Sequence, residues 1–370
     1  MTVEAASENR RQAAGLSRND QLVEGPLKGY HHETYAFPLP AENPLATSFE
    51  RGKLRAPREG LLWFDRRCFV SEDRLLVALG GRITRIPECS EIAENVWLQG
   101  FIEGRTLGSR ALSGARMLSD RHVRQLSQLF EELVAIKPDE LDIRRICSDH
   151  YRSEEGDSTA FLLGLIRFTE ERVYRKQADR FGQLFKELGV PDDALAQLKT
   201  ATAGLAERPF SLIHGDLHRE NFIVDHAGDL WTIDWELAMI GDPLYDLATH
   251  LHLMRYSKKE EERIIDVWRS SVERARPGSS NEWERDLPVL LSYKRAQSVY
   301  TDVIRTAVAQ GPGPKPNWQL FPRAAWRVQL ALKAAAEPLG LTEVPTLRQV
   351  IAAYRRWLRA DTANLTPSAP

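Results

Sequence analysis

Residues Ser211–Leu251 read SLIHGDLHRENFIVDHAGDLWTIDWELAMIGDPLYDLATHL, and this stretch decides the fold. Asp216 is followed five residues later by Asn221, and Asp234 closes an apolar run. Three short apolar runs are typical of buried strands, at 210–213, 222–224 and 230–233, with the turn DHAGD (225–229) between the last two. Side chains that close such strands lie at the sheet's edge, where a ligand can reach them.

Two carboxylates and one amide in this order suit phosphoryl transfer. In that chemistry one Asp accepts the proton of the attacking hydroxyl, an Asn binds metal, and a second Asp joins Mg²⁺ to the phosphates. The alternative is a β-rich segment with Asp residues scattered at its turns.

The segments HGDLHRENFI and TIDWELAMIGDPLYDLA resemble the aminoglycoside phosphotransferase and choline kinase-like family, a branch of the protein-kinase-like fold. About a dozen positions agree in type and order. The resemblance implies that Asp216 is the catalytic base and that Asn221 and Asp234 are Mg²⁺ ligands. It also matches Asp242 and Asp246 to an acidic pair that follows the metal-binding Asp.

The composition is that of an ordinary soluble protein, with 42% hydrophobic and 28% charged residues. The net charge of −2 gives no general attraction to nucleic acid or anionic membranes. No apolar run approaches the roughly 20 residues of a membrane span, and the polar N-terminus does not read as a signal peptide. The three widely spaced cysteines predict a reducing cytoplasm and no disulfide framework.

The segment 22–40 carries the first expected nucleotide contacts. Gly25 and Gly29 bracket a short loop, and in the family a strand–loop–strand here covers the nucleotide phosphates. Glycine lets backbone amides approach an anion closely. We therefore assign Gly29 to nucleotide binding, although two glycines also fit an ordinary hairpin. His31 and His32 are read as polar loop residues, with a phosphate contact as the alternative.

A cation is expected on the strand in 49–60, where kinase-like folds pair it with the phosphates and with a Glu on the next helix. Lys53 and Arg55 are two residues apart and face the same way on a strand. The family's L-R-x-P pattern favours Arg55, and analogy with kinases favours Lys53, towards which we lean. Glu72, in a helix that Ser71 caps, is the expected partner. Gln99, in a strand that runs into the hinge sequence FIEG, marks the expected nucleotide rim.

The predicted fold class is α+β, a two-lobe protein-kinase-like fold. We expect a flexible tail over residues 1–20, a small β-rich N-lobe over 21–103 and a larger helical C-lobe over 104–370. Strands are predicted at 83–87 and 96–102. Helical stretches are predicted at 120–136, 161–188, 192–207, 290–309, 322–339 and 346–359, with a rigid loop at 311–322.

The function that the resemblance implies is transfer of the γ-phosphoryl group of ATP or GTP to a hydroxyl of a small molecule, with Mg²⁺. One alternative is a Ser/Thr peptide kinase in ribosomal peptide natural-product biosynthesis, acting beside a partner enzyme. Another is a pseudokinase-type binding module. Residues 287–370 hold eleven Lys or Arg against four Asp or Glu, a balance of +7. Since the family builds its acceptor pocket largely from late helices, this balance argues against a highly cationic acceptor.

Overall fold

The computed structural model describes residues 7–27, 29, 32–58, 62, 64, 66–109, 117–310 and 321–365, with side chains described up to residue 361. The chain divides into two compact units, each made of two segments. The first unit is Met1–Cys147 with Phe210–Ser279, and the second is Ser148–Pro209 with Ser280–Pro370. The lobe boundary expected after residue 103 falls inside the first unit, so the lobe division stays a prediction.

The regular elements are named in chain order. The strands are β1 (His32–Pro38), β2 (Arg51–Pro57), β3 (Cys89–Ala93), β4 (Val96–Gly100), β5 (Gly104–Thr106), β6 (Ser211–Ile213), β7 (Phe222–Asp225), β8 (Leu230–Thr232) and β9 (Met239–Gly241). The helices are α1 (Glu8–Ser17), α2 (Glu72–Leu79), α3 (Asp120–Ala135), α4 (Ser158–Phe168), α5 (Ala178–Glu187), α6 (Ala196–Ala201), α7 (Pro243–Met254), α8 (Lys258–Ala275), α9 (Trp283–Ala309), α10 (Phe321–Ala334) and α11 (Leu347–Leu365).

An antiparallel sheet of order β1-β2-β4-β3 forms the N-terminal part of the first unit. Its two faces differ in chemistry because side chains alternate along a strand. Leu54 and Leu98 lie in an apolar cluster on one face. Lys53 and Gln99 are cross-strand partners between β2 and β4, one position away from those leucines, and therefore belong to the other face. The sheet thus presents a polar face on which a charged site can be built.

Helix α1 covers the apolar face, and this corrects the expected flexible tail. Residues 8–17 form this helix, and Ser7 caps it by accepting the Arg10 N–H at 3.2 Å. Ala13 is fully buried in the cluster with Tyr35 and Phe37. Asn9 donates a hydrogen bond from its side chain to the backbone oxygen of Glu33 at 2.9 Å. Tertiary packing, which the polar sequence of this segment does not reveal, fixes the helix in place.

The strand expected at 83–87 is also wrong, since β3 begins only at Cys89. Ile83 and Ile86 are buried, as their apolar character predicts. Arg85 between them has φ +55°, which ends any extended run. The two isoleucines therefore reach the core from a turn rather than from a strand.

The deciding stretch forms short antiparallel strands, as predicted. β6 pairs with β9, while β7 lies between β5 and β8 in a three-stranded sheet. The turn between β7 and β8 occupies the predicted DHAGD sequence, where Gly228 N–H bonds Asp225 O at 3.1 Å. The acidic and amide side chains stand beside these strands and their connecting turns.

The remaining helices largely follow the sequence patterns. The helices expected at 120–136, 290–309, 322–339 and 346–359 correspond to α3, α9, α10 and α11. The 161–188 stretch is α4 followed by a π-helical turn, Thr169–Tyr174, a short 3₁₀ turn, Arg175–Gln177, and then α5. The segment 192–207 is helical only over α6. The rigid loop expected at 311–322 lies outside the described residues except for its last two positions, which begin α10.

No helix among the described residues has both the length and the apolar character needed to cross a bilayer.

Candidate active site

Asp216 and Asn221 are joined by hydrogen bonds within one loop of the first unit. The amide nitrogen of Asn221 donates to the backbone oxygen of Asp216 at 3.0 Å and to its carboxylate Oδ2 at 3.3 Å. Gly215 has φ +78°, and a Cβ there would stand 2.7 Å from Leu237 O. Glycine is therefore required before Asp216. The Asn221 bonds use its nitrogen, so its Oδ1 is the atom left for a metal ion.

His214 connects this loop to the strand that ends at Asp234. Its Nδ1 accepts the Asp216 N–H at 3.3 Å, so the neutral ring carries its proton on Nε2 and donates to Ile233 O at 3.1 Å. Burial lowers the pKa of His214 to about 4, which keeps the ring neutral at physiological pH. The ring fixes the backbone beside both aspartates, which is a structural role.

The acidic pair Asp242 and Asp246 anchors backbone rather than metal. Asp242 caps α7 by accepting the Leu244 N–H at 2.9 Å. Asp246, buried on α7, accepts the N–H groups of His214 and Gly215, both at 2.7 Å. Asp246 therefore holds the loop that carries Asp216, and Asp242 holds the start of the helix on which Asp246 lies.

Asp234 has a strained backbone and a buried carboxylate. Its φ and ψ are +67° and +65°, which is rare for a residue other than glycine and is concentrated at functional sites. Burial, and then the negative charge of Glu72, raise the pKa of Asp234 to about 6. A divalent cation at this position would offset both the burial of the carboxylate and its repulsion from Glu72.

Glu72 pairs with Arg55 and not with Lys53. The Arg55 guanidinium and the Glu72 carboxylate form a buried ion pair. The other Glu72 oxygen accepts the Trp235 N–H at 3.0 Å, next to Asp234. Lys53 was the preferred candidate from the sequence, but its side chain has no hydrogen bond or ion pair within the described residues. Burial, and then the charge of Arg55, lower the pKa of Lys53.

Two further side chains lie near the aspartates and were not predicted as site residues. Glu236 is largely buried, its Oε2 has no hydrogen-bond partner, and it lies 3.7 Å from His32 Nδ1. Burial, and then Asp234, raise its pKa to about 8. His218 Nε2 lies 3.3 Å from Asp216 Oδ2. Although burial opposes it, the bond to Asp216 raises the pKa of His218. The sequence could have indicated Glu236 through its position, because Trp235 and Glu236 directly follow Asp234.

The donors fit Mg²⁺. The described residues contain no group of three or more His, Cys, Asp or Glu side chains placed to hold a metal. Mg²⁺, however, is usually bound through one or two carboxylates together with substrate phosphates and water. Asp234, with Asn221 Oδ1 beside Asp216, provides this kind of donor set. The raised pKa values of Asp234 and Glu236 mean that a cation in the same place would stabilise their charged forms.

The other predicted nucleotide residues have differing positions. Gln99 is buried, and its nitrogen donates to Asp73 Oδ1 at 2.6 Å, while its Oε1 has no hydrogen-bond partner. Together with Lys53 and Arg55 it lines a cavity of about 600 Å³ in the first unit. Gly29 is exposed, and His31 lies outside the described residues. The nucleotide roles of Gly29 and Gln99 stay predictions.

Two residues between Asp216 and Asn221 bind other parts of the first unit. Arg219 donates to Met254 O through Nε and Nη2, at 3.4 and 3.3 Å. Glu220 accepts the Thr106 hydroxyl at 2.9 Å. Both side chains hold the loop in place.

The chain resembles known phosphotransferases in sequence and in fold. Residues 98–278 match the model of the family described as phosphotransferase enzyme family. Macrolide 2'-phosphotransferase MphH from Brachybacterium faecium superposes with a TM-score of 0.51 at 17% identity, covering 87% of this chain and 93% of its own. Choline kinase LicA from Streptococcus pneumoniae gives 0.54 at 14% identity, covering 89% and 97%. No curated protein sequence matches the chain.

At these identities the solved structures establish the fold. It is the α+β protein-kinase-like phosphotransferase fold, with a sheet-rich N-terminal region and a helical C-terminal region. The predicted resemblance is confirmed by the family match. The match covers residues 98–278, just under half of the chain, and these residues resemble the phosphotransferase enzyme family.

Proposed function

We propose that the protein transfers the γ-phosphoryl group of ATP or GTP to a hydroxyl of a small molecule, with Mg²⁺. One observation carries the proposal: within the first unit, hydrogen bonds and one ion pair connect Asp216 and Asn221, through the residues on either side of Asp234, to Arg55. Asn221 binds Asp216, His214 ties that loop to the residue before Asp234, and Glu72 joins Arg55 to the residue after it. Kinase chemistry needs these parts together, because catalysis is mainly positioning and charge stabilisation.

In the proposed mechanism, Asp216 accepts a hydrogen bond from the acceptor hydroxyl and takes its proton as the oxygen attacks the γ-phosphorus. The bond from phosphorus to the β–γ bridging oxygen breaks, and the nucleoside diphosphate leaves. Arg55, oriented by Glu72, neutralises the phosphates. Asp234 and Asn221 would hold Mg²⁺, which when bound supplies the charge that offsets the β- and γ-oxygens. Gly29 and Gln99 are proposed to contact the nucleotide.

The acceptor is proposed to be a hydroxyl-bearing small molecule, the class named for the two structural relatives, a macrolide and choline. The basic residues of 287–370 do not support the exclusion of cationic acceptors. Arg323, Arg327, Arg355 and Arg356 are all exposed on α10 and α11, as expected for solvated helix faces. The proposed compartment is the cytoplasm, where nucleotides are present and where Cys68, Cys89 and Cys147, none of which is in a disulfide, would stay reduced.

The test compares wild-type protein with Asp216→Asn, which keeps the shape of the side chain. Both are incubated with Mg-ATP or Mg-GTP and a panel of alcohols, macrolides, aminoglycosides and Ser/Thr peptides. Loss of a positioned base should lower phosphoryl transfer roughly 10²–10⁴-fold, while Mg-nucleotide still raises the melting temperature. Transfer by the variant at the wild-type rate rules out the role of Asp216. Nucleotide binding without transfer to any acceptor favours the binding module, and transfer to peptides alone favours the peptide kinase.

A further inference from the structure

The loop that carries Asp216 is attached to α7 at three successive points. Asp246 accepts the backbone N–H groups of His214 and Gly215. His250 Nδ1 lies 3.1 Å from the backbone oxygen of Leu217. Further along, the Arg219 guanidinium donates to Met254 O. The attachments flank Asp216 on both sides.

The spacing of these points matches helix and loop. Asp246, His250 and Met254 are each four residues apart, so they lie on one face of α7 with a rise of about 6 Å per step. On the loop, the residues that contact α7 are Gly215, Leu217 and Arg219, and each is two positions after the one before it. Two residues of extended chain reach at most about 7 Å, and His218 is extended, with φ −138° and ψ 171°. Helix and loop therefore run side by side in register.

The middle attachment depends on one ring with a defined proton. His250 is fully buried, and its Nε2 lies 2.9 Å from the Tyr256 hydroxyl. A carbonyl oxygen accepts only, so Nδ1 must donate to Leu217 O and Nε2 must accept from Tyr256. The rings of Phe130 and Phe222 stand edge-on to the imidazole, at centroid distances of 6.1 and 5.9 Å, and limit its rotation. The side chain thus has a single productive orientation.

We propose that His250, oriented by Tyr256, is a positioning residue that fixes Asp216 through the neighbouring Leu217 carbonyl. The inference rests on the proposed function, because it assigns Asp216 the reacting hydroxyl. An apolar ring would fill the same space among the surrounding aromatic side chains, but it would remove the ring's bonds to the Leu217 carbonyl and the Tyr256 hydroxyl. The polar ring instead places a donor where the catalytic loop has an otherwise unbound carbonyl.

The test uses three variants of the full chain. His250→Phe keeps the ring and removes both bonds, His250→Asn retains a donor near Nδ1, and Tyr256→Phe removes only the hydroxyl. A displaced catalytic group can cost up to about 10²-fold in rate. We expect kcat to fall most in His250→Phe and least in His250→Asn, with the KM for Mg-nucleotide unchanged. In wild type, ¹⁵N shifts of labelled histidine should show the Nδ1–H tautomer, and Tyr256→Phe should reduce its population.

The matched control is His122→Asn, which removes a ring-to-carbonyl contact of similar length, 3.2 Å to Gly228 O, outside the catalytic loop. It should leave kcat unchanged. Wild-type kcat in His250→Phe, or an Nε2–H tautomer in the wild type, overturns the proposal. If the wild type transfers no phosphoryl group, the proposed function fails instead, and the tautomer is still measured. If His250→Phe does not fold, a normal kcat in Tyr256→Phe with the tautomer unchanged overturns the proposal.

Discussion

Arg55 and Lys53 stand on the same face of one strand, but only Arg55 has a carboxylate partner. Replacing Arg55 with Met leaves the buried Glu72 without its cation, and breaking such a pair costs about 3–5 kcal/mol. We expect Arg55→Met to lower the free energy of unfolding by this order and to weaken Mg-nucleotide binding. Lys53→Met is the matched control and should be milder, because no ion pair is lost. Urea titrations with and without Mg-ATP measure both effects, and equal losses for both variants would contradict the assignment.

Two buried histidines should make the protein sensitive to acid. Burial lowers the pKa of both His214 and His250 to about 4, against an ordinary value of 6.5. The unfolded state therefore binds these protons more tightly, so stability is complete above pH 6.5 and falls as the pH approaches 4. Each ring should contribute a loss of about 2 kcal/mol between pH 7.5 and 5.

Urea titrations at the two pH values measure this loss. In His250→Phe the loss of unfolding free energy between pH 7.5 and 5 should be smaller than in the wild type by the contribution of one ring, about 2 kcal/mol. His226→Phe is the control, since His226 is exposed in the turn between β7 and β8, and it should keep the wild-type difference. A pH dependence that is identical in His250→Phe and wild type would show that His250 is not buried as a neutral ring.

At residue scale, the sequence indicates the candidate catalytic and metal-binding residues more readily than the contacts that support them. Asp216, Asn221 and Asp234 stand out because their spacing and their apolar neighbours identify strand ends. The choice between Lys53 and Arg55 could not be made from the strand, because residues two apart share a face. Only the position of Glu72 in three dimensions separates them. The backbone-anchoring roles of Asp246 and His250 were equally hidden, since each depends on a contact over thirty or more positions of the chain.

Helix α1 is the element on which sequence reasoning failed, and it carries a prediction of its own. Its ten residues, ENRRQAAGLS, have too few apolar side chains to mark a buried face, yet Ala13 is completely buried. Enlarging a side chain in such a packed site typically costs 1–3 kcal/mol. We expect Ala13→Leu to lower the urea midpoint, and Arg11→Leu, on the exposed face, to leave it unchanged. Equal midpoints would mean that α1 is not docked on the sheet in solution.

The other elements show which sequence signals are reliable. Ser71 predicted the start of α2, and it accepts the N–H groups of Asp73 and Arg74 at 3.1 and 3.4 Å. That signal is local, because a cap and its helix are neighbours in the chain. The strand wrongly expected at 83–87 was inferred only from the apolar residues of that short segment. Buried apolar residues also occur in turns, so periodicity over a short segment does not separate the two.

At the scale of the whole molecule, the two compact units divide the chain differently from the predicted lobes. All the catalytic and nucleotide-binding candidates lie in the first unit, which joins residues 1–147 to 210–279. Nucleotide binding should therefore act on that unit. At a hundred times its Kd, a ligand stabilises the native state by about 2.7 kcal/mol, and slowed amide exchange reports where that stabilisation is felt.

We expect Mg-nucleotide to slow hydrogen exchange in the first unit, around β2, the segment 96–106 and the loops from His214 to Glu236. The amides of the second unit, in 148–209 and 280–370, should change less, because none of the assigned donors lies there. Asp234→Asn is the control, since loss of the carboxylate proposed to bind Mg²⁺ should remove the Mg-dependent part of the protection. Protection that is strongest in the second unit would place the nucleotide elsewhere and would refute the assignment of Arg55, Asn221 and Asp234 together.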